Sequence, residues 1–259
     1  MSEIKAAISL EAYFKGNGFP AIKAILWAQF VIHVIEILNK ATDDLKKPAN
    51  WNNFKGKTGA LGKAKKKVKK GIIEAIPNED AITSELHQYI QEARCDLPSD
   101  HFLRLHEVSF QAETQVKSDT KAGRHLRQVD FHIYSSSSRN GPEISIEAKP
   151  LSKPKDINTR YLGEEGIGCF LNLEPYTTGP IGGMFAYTIN NNKASLYEAI
   201  DLAISEFEPK VLSLDKVCLR ESHDYELISL SKHERPKLGL DPIIVLHLEK
   251  IFEPDVKAI

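Results

Sequence analysis

Gln128-Val-Asp-Phe-His-Ile-Tyr134 and Glu143-Ile-Ser-Ile-Glu-Ala-Lys149, joined by a turn of Ser, Arg, Asn, Gly and Pro, decide how this chain folds. Both stretches alternate apolar and polar with the period of two of a half-buried strand. Val129, Phe131 and Ile133 share one face of the first arm, and Ile144, Ile146 and Ala148 one face of the second. Pairing Tyr134 with Glu143 brings Phe131 to Ile146, Ile133 to Ile144 and Val129 to Ala148. A slip by one residue turns every apolar side chain to the wrong face. This register sets Asp130 opposite Glu147, with alpha carbons about 4.5–5.5 Å apart, and Lys149 on the same side. Two facing carboxylates repel. A chain keeps such a pair most readily with a cation between them or a shared proton.

Apolar residues at helical spacing from Ala24 to Leu38 predict a helix over about residues 20–45. Lys47 to Lys70 reads as a loop leading into a short basic helix. Pro77-Asn-Glu-Asp opens a second helix, its acids complementing the N-terminal dipole. Ile82, Leu86, Tyr89, Ile90 and Ala93 form its inner stripe, and Glu85 shares that stripe. A strand over about 105–116 precedes the two arms. A helix near 158–171 is weakened by Gly163, Gly166 and Gly168. A strand over 183–189, an amphipathic helix over 194–207 and strands near 217, 225–230 and 242–248 follow. The order predicts an α/β fold with a mixed central sheet flanked by helices, over residues 76–259. A Lys-rich helical extension, residues 1–75, precedes it.

The 259 residues, 42% of them hydrophobic, suffice for one substantial core. The most apolar stretch, Ala24 to Leu38, is interrupted by Gln29, His33 and Glu36, so no membrane span is expected. The start, Met-Ser-Glu-Ile-Lys, lacks the pattern of a secretory leader. Cys95, Cys169 and Cys218 are odd in number and widely spaced, which fits free thiols in a reducing, cytoplasmic setting. Net charge is −1, yet ten lysines and no acidic residue lie between Lys46 and Lys70. Lys63, Lys65, Lys66, Lys67, Lys69 and Lys70 are the centre of this run. It is either a solvated face or a phosphate-backbone contact that releases counterions.

The paired acids suit phosphodiester hydrolysis, which needs a hard divalent cation held by oxygen ligands. Asp130 and Glu147 offer carboxylates, the Ala148 carbonyl a further oxygen, Lys149 an ammonium, and Glu85 a third acid from the preceding helix. Arg124, His125 and Arg127 would grip a phosphate beside the ion, or are loop charges. His132 would meet substrate or water, or is a sheet-face residue. Other motifs fail. Gly56-Lys-Thr-Gly-Ala-Leu-Gly-Lys63 has the wrong spacing for a phosphate loop, and Ala64 stands where a hydroxyl is needed. No Gly-x-Ser-x-Gly elbow and no zinc-type His/Cys spacing is present.

Asp130 followed by Glu147-Ala-Lys149 resembles the D…(D/E)-x-K signature of the PD-(D/E)xK, restriction-endonuclease-like nucleases. The order of elements over roughly residues 76–190 is similar to that family's core. Val129 stands where the family name has Pro. The resemblance implies metal ligation by Asp130 and Glu147 and a water- or phosphate-directed role for Lys149. It also implies a supporting role for Glu85 and a Mg2+ or Mn2+ cofactor. The substrate expected is DNA, with RNA as the alternative, in a restriction or phage-defence context. A homodimer or a partner protein of a defence system is the expected assembly. Three other readings stand beside it. One is a nuclease-like module that binds without cutting, another a solvated sheet face. The third is a retaining glycosidase, whose carboxyl groups lie about 5–5.5 Å apart. Lys149 and the 8% aromatic content speak against the glycosidase.

Overall fold

The structure, a computed structural model, describes residues 8–62, 65–67, 72–116, 126–138, 140–189, 194–207, 211–219, 227–253 and 255–258. A two-residue strand β1 (Ile8–Ser9) leads into the helices α1 (Leu10–Gly16), α2 (Ala21–Lys46) and α3 (Pro48–Gly56). Two short strands, β2 (Lys65–Lys67) and β3 (Ile72–Ala75), come before α4 (Glu79–Cys95) and α5 (Phe102–Leu105). Strands β4 (Val108–Gln115), β5 (Gln128–Ser135) and β6 (Glu143–Leu151) follow. A π-helical turn (Ile157–Tyr161) and α6 (Gly168–Leu171) then connect to β7 (Ile181–Ile189). After α7 (Tyr197–Ser205) come β8 (Ser213–Cys218), β9 (Leu227–Arg235), β10 (Leu240–Phe252) and β11 (Asp255–Ala258).

Eight strands form one mixed sheet in the order β1-β8-β9-β10-β7-β6-β5-β4, and β11-β3-β2 form a small second sheet. The expected α/β class with a mixed central sheet is therefore present. Strands β4, β5 and β6 are antiparallel neighbours, whereas β6, β7 and β10 run parallel. The β5–β6 register is the expected one, with Phe131 on Ile146, Ile133 on Ile144 and Tyr134 on Glu143. Every residue of β7 is buried, as befits a parallel strand covered on both faces. At Gly182 an added Cβ would come within 2.8 Å of the Phe170 ring, so only glycine lets the helical layer approach there.

Helices cover both faces. Phe131, Ile133, Ile144, Ile146 and Ala148 share one cluster with Trp27, Phe30 and Val34 of α2 and Ile82, Leu86 and Ile90 of α4. Tyr161, Phe170, Ile200 and Ile204 pack with Met184, Ala186 and Val245 on the opposite face. Strand alternation turns Glu147 and Lys149 toward this second layer.

Three expectations are corrected. First, the boundary at residue 75 does not mark a separate extension. Phe14, Trp27, Leu38 and Phe54 belong to the same cluster as Phe131 and Phe185, and β1 pairs with β8. Helix α2 passes the length and composition test for crossing a membrane, with a mean hydropathy of 1.8 in its most apolar window. Its buried side lies against α4 in this core. Second, the stretch expected as a loop and a basic helix holds α3 and the strand β2. The backbone of Lys65–Lys67 pairs antiparallel with β3 instead of coiling into a helix. Third, the helix expected over 158–171 is divided into the π-helical turn and α6; Gly166 stands in the break, where an added Cβ would sit 2.1 Å from the Tyr161 carbonyl oxygen, so the close turn there needs a glycine.

Candidate metal centre

The backbone ladder between β5 and β6 runs from Tyr134↔Glu143 to Phe131↔Ile146 and stops one residue short of Asp130. There the Asp130 carboxylate takes over, its Oδ2 accepting the Ala148 N–H at 2.6 Å. Glu147 precedes Ala148 and is 4% exposed; Lys149 follows it and is 7% exposed. A third acid, Glu79, arrives from the first turn of α4. One carboxylate oxygen from each of Glu79, Asp130 and Glu147 lies within 4.8 Å of the other two. Lys149 Nζ is 2.5 Å from Glu79 Oε1 and 2.7 Å from Glu147 Oε1. Arg160 steadies the edge, donating from Nη1 to the Pro150 carbonyl at 3.1 Å and from Nη2 to Glu79 Oε2 at 3.4 Å. The second oxygen of Glu147 is buried with no hydrogen-bond partner.

Three acids here face one buried ammonium. Burial, reinforced by the Asp130 charge and opposed by Lys149, pushes the Glu147 carboxyl up to about 8. Burial raises Asp130 to about 6, against the pull of the Ala148 N–H and Lys149. Burial works against the Lys149 charge too, but Glu147 and Glu79 outweigh it and hold the ammonium above the ordinary lysine range. A buried carboxylate oxygen without a partner costs free energy, and a divalent cation among the three acids would remove that cost. The donor set is all carboxylate oxygen, the chemistry of hard ions such as Mg2+ or Mn2+. These residues fit such an ion.

Asp130, Glu147 and Lys149 converge as expected, with two revisions around them. Glu85 is buried but does not reach the cluster; its Oε2 pairs with Lys57 Nζ at 2.6 Å. It lies six residues, about 9 Å along the helix axis, beyond Glu79. Glu79 is the acid that α4 contributes. Its sequence signal, an acid in the first helical turn, is the same one that a helix dipole selects. Ala148 meets the site through its N–H to Asp130, in a supporting contact that its expected carbonyl role did not include.

The basic candidates are scattered. Arg127 donates to the Glu174 carbonyl at 3.3 Å and to Cys169 Sγ at 2.9 Å, with its guanidinium 4.8 Å from the Tyr176 ring centre. It braces the loop after α6, unlike the phosphate grip expected of it. His132 Nδ1 lies 3.3 Å from Ser145 Oγ on the same sheet face. The backbone of Lys65–Lys67 forms β2, at one edge of the small sheet whose middle strand β3 ends just before α4. Lys63, Lys69, Lys70, Arg124 and His125 lie outside the described residues. No family model matches the chain, and neither curated proteins nor solved structures supply a match.

Proposed function

We propose that this chain is a divalent-metal-dependent nuclease that hydrolyses phosphodiester bonds of DNA. One observation carries the reading: three carboxylates converge within 4.8 Å, one with an unpartnered buried oxygen, and the Lys149 ammonium touches two of them. The succession of α4, three antiparallel strands, a helical connection and a parallel strand supports it, being similar to the restriction-endonuclease-like core.

Glu79, Asp130 and Glu147 would hold the ion. When bound, Mg2+ or Mn2+ lowers the pKa of water and offsets charge on the phosphate oxygens. The chain's own residues do the rest. The Ala148 N–H fixes the direction of the Asp130 carboxylate. Lys149, held protonated by its two acid partners, acts as a charged donor toward the phosphate oxygens rather than as a base. Substrate entering the site draws this ammonium from Glu79 and Glu147 toward the new negative charge. The Lys63–Lys70 run would supply contacts to the phosphate backbone. A cytoplasmic restriction or phage-defence setting, with a homodimer or a partner protein, completes the proposal.

Supercoiled and linear duplex DNA incubated with Mg2+ or Mn2+ test it. Cutting should stop in EDTA, which also separates this reading from a glycosidase. It should be lost in Glu147→Gln and in Lys149→Ala. Full activity in Lys149→Ala, or in EDTA, sinks the proposal.

A further inference from the structure

Two histidines and a glutamate meet in the helical layer, away from the carboxylate cluster. His33 and Glu36 stand three residues apart on α2 and so share one side of it. Nδ1 of His33 is 2.9 Å from Oε2 of Glu36. His101, the residue that caps α5, brings its ring centre to 4.8 Å from that of His33, with the planes 68° apart. One donor atom from each of the three lies within 4.8 Å of the other two. Phe102 stacks on His33 at 5.1 Å, and His106 packs on Phe102 at 4.2 Å, so an aromatic wall fixes the His33 ring. All three residues are half-buried, which leaves solvent a way in.

We infer that His33, Glu36 and His101 form a second metal site, one that takes a borderline transition ion such as Zn2+. Two imidazole nitrogens with one carboxylate suit zinc and leave the fourth tetrahedral position to water. With ligands about 2.0–2.1 Å from the ion, tetrahedral neighbours lie about 3.3 Å apart. The His33–Glu36 pair is already near that separation, and His101 has only to close in. His101 Nδ1 now accepts the Leu103 N–H at 3.2 Å, so its proton resides on Nε2. Ligation through Nε2 moves that proton to Nδ1 and releases this long cap bond. His33 exposes the Nδ1 lone pair once its own proton sits on Nε2. The ion then fastens α2 to the segment between α4 and β4. Sequence spacing conceals the site because its third ligand is far from the other two along the chain. It does not depend on the nuclease reading.

Co2+ is the probe, added to the full chain carrying Asp130→Asn and Glu147→Gln so that the carboxylate cluster does not contribute. One equivalent should give the intense visible absorption of a tetrahedral N/O site, without thiolate charge transfer, and Zn2+ should abolish it while Mg2+ does not. The band should vanish in His33→Gln and in His101→Asn, the latter keeping a capping acceptor. Metal-free melting temperatures matching the parent show that the fold is kept; should either variant melt early, Glu36→Gln provides the same reading. A weak octahedral spectrum, a thiolate signature, or a band that survives in His33→Gln and His101→Asn combined overturns the assignment.

Discussion

Two buried polar groups lie under one face of the sheet at the same height, and they solve the problem of burial in opposite ways. Glu147 on β6 is level with Met184 on β7, and Met184 is level with His247 on β10. Around His247 the solution is neutral. Tyr161 Oη lies 3.0 Å from its Nδ1, and Ser231 Oγ lies 2.7 Å both from its Nε2 and from His233 Nε2. Burial drives the histidines down, His247 to about 3 and His233 to about 4, so neither carries charge near neutrality. The atom left without a partner there, His233 Nδ1, is a neutral ring nitrogen. Around Glu147 the solution is incomplete: three acids share the single charge of Lys149, burial pushes the Glu147 carboxyl up to about 8, and its second oxygen has no partner. A buried network of neutral groups tolerates one such gap. One that leaves a carboxylate oxygen unpartnered among three acids would gain from a bound cation.

The sharpest test of this contrast is activity. Glu147→Gln should lower the DNA-cutting rate by about 100–1000-fold or more while leaving the melting temperature near its parent value. His247→Asn should cost stability but leave the rate per folded molecule unchanged. A normal rate in Glu147→Gln, or a collapse of rate in a folded His247→Asn, would show that the two buried groups do not differ in role. Next in size is Lys149→Met measured in EDTA. Removing one partner of a buried ion pair costs about 3–5 kcal/mol, and added Mn2+ should restore much of it in chemical denaturation. An EDTA-treated variant as stable as the parent would show that the acids do not need the ammonium.

The two regions also differ in the sign of their pH dependence. Glu147 is raised to about 8, so its contribution to metal-free stability is complete below about pH 4.5, where unfolded Glu is also protonated. It is lost as pH rises through about 8, with a slope of roughly 1.4 kcal/mol for each pH unit crossed. Denaturant midpoints in EDTA should therefore fall from about pH 5 to about pH 8.5, and Glu147→Gln should flatten that fall. His247 and His233 are depressed, so their contribution is present above the unfolded value of about 6.5 and is lost as pH falls. His247→Asn should shallow the acid side alone. The smallest effect belongs to the lysines. Replacing Lys65, Lys66 and Lys67 with Ala should flatten the salt dependence of DNA binding by up to about 0.9 for each phosphate no longer neutralised. An unchanged slope removes β2 from the interface.

How much of the molecule is legible in its sequence depends on the range of the interactions. The β5–β6 register and the bodies of α2 and α4 follow from local periodicity, because Phe131, Ile133, Ile144 and Ile146 admit one pairing. Asp130, Glu147 and Lys149 follow from that register alone. Glu79 does not, because its place depends on where α4 begins relative to the end of β6, 70 residues later in the chain. Periodicity favours Glu85 in its stead, since helical spacing reports which side a residue faces, not how far along the axis it sits. The lysine run misleads in a similar way: its composition says nothing of the β3 partner that takes Lys65–Lys67 into a strand.

The position of β10 has a consequence for biosynthesis. This strand fills the gap between β7 and β9, yet it leaves the ribosome after both of them. Until residues 240–252 emerge, the nascent polypeptide carries the acid-bearing hairpin on a sheet with two open edges. Arrival of those thirteen residues joins the halves in a single late step. A transcript truncated before Leu240 yields a sticky, aggregation-prone fragment rather than a smaller working protein.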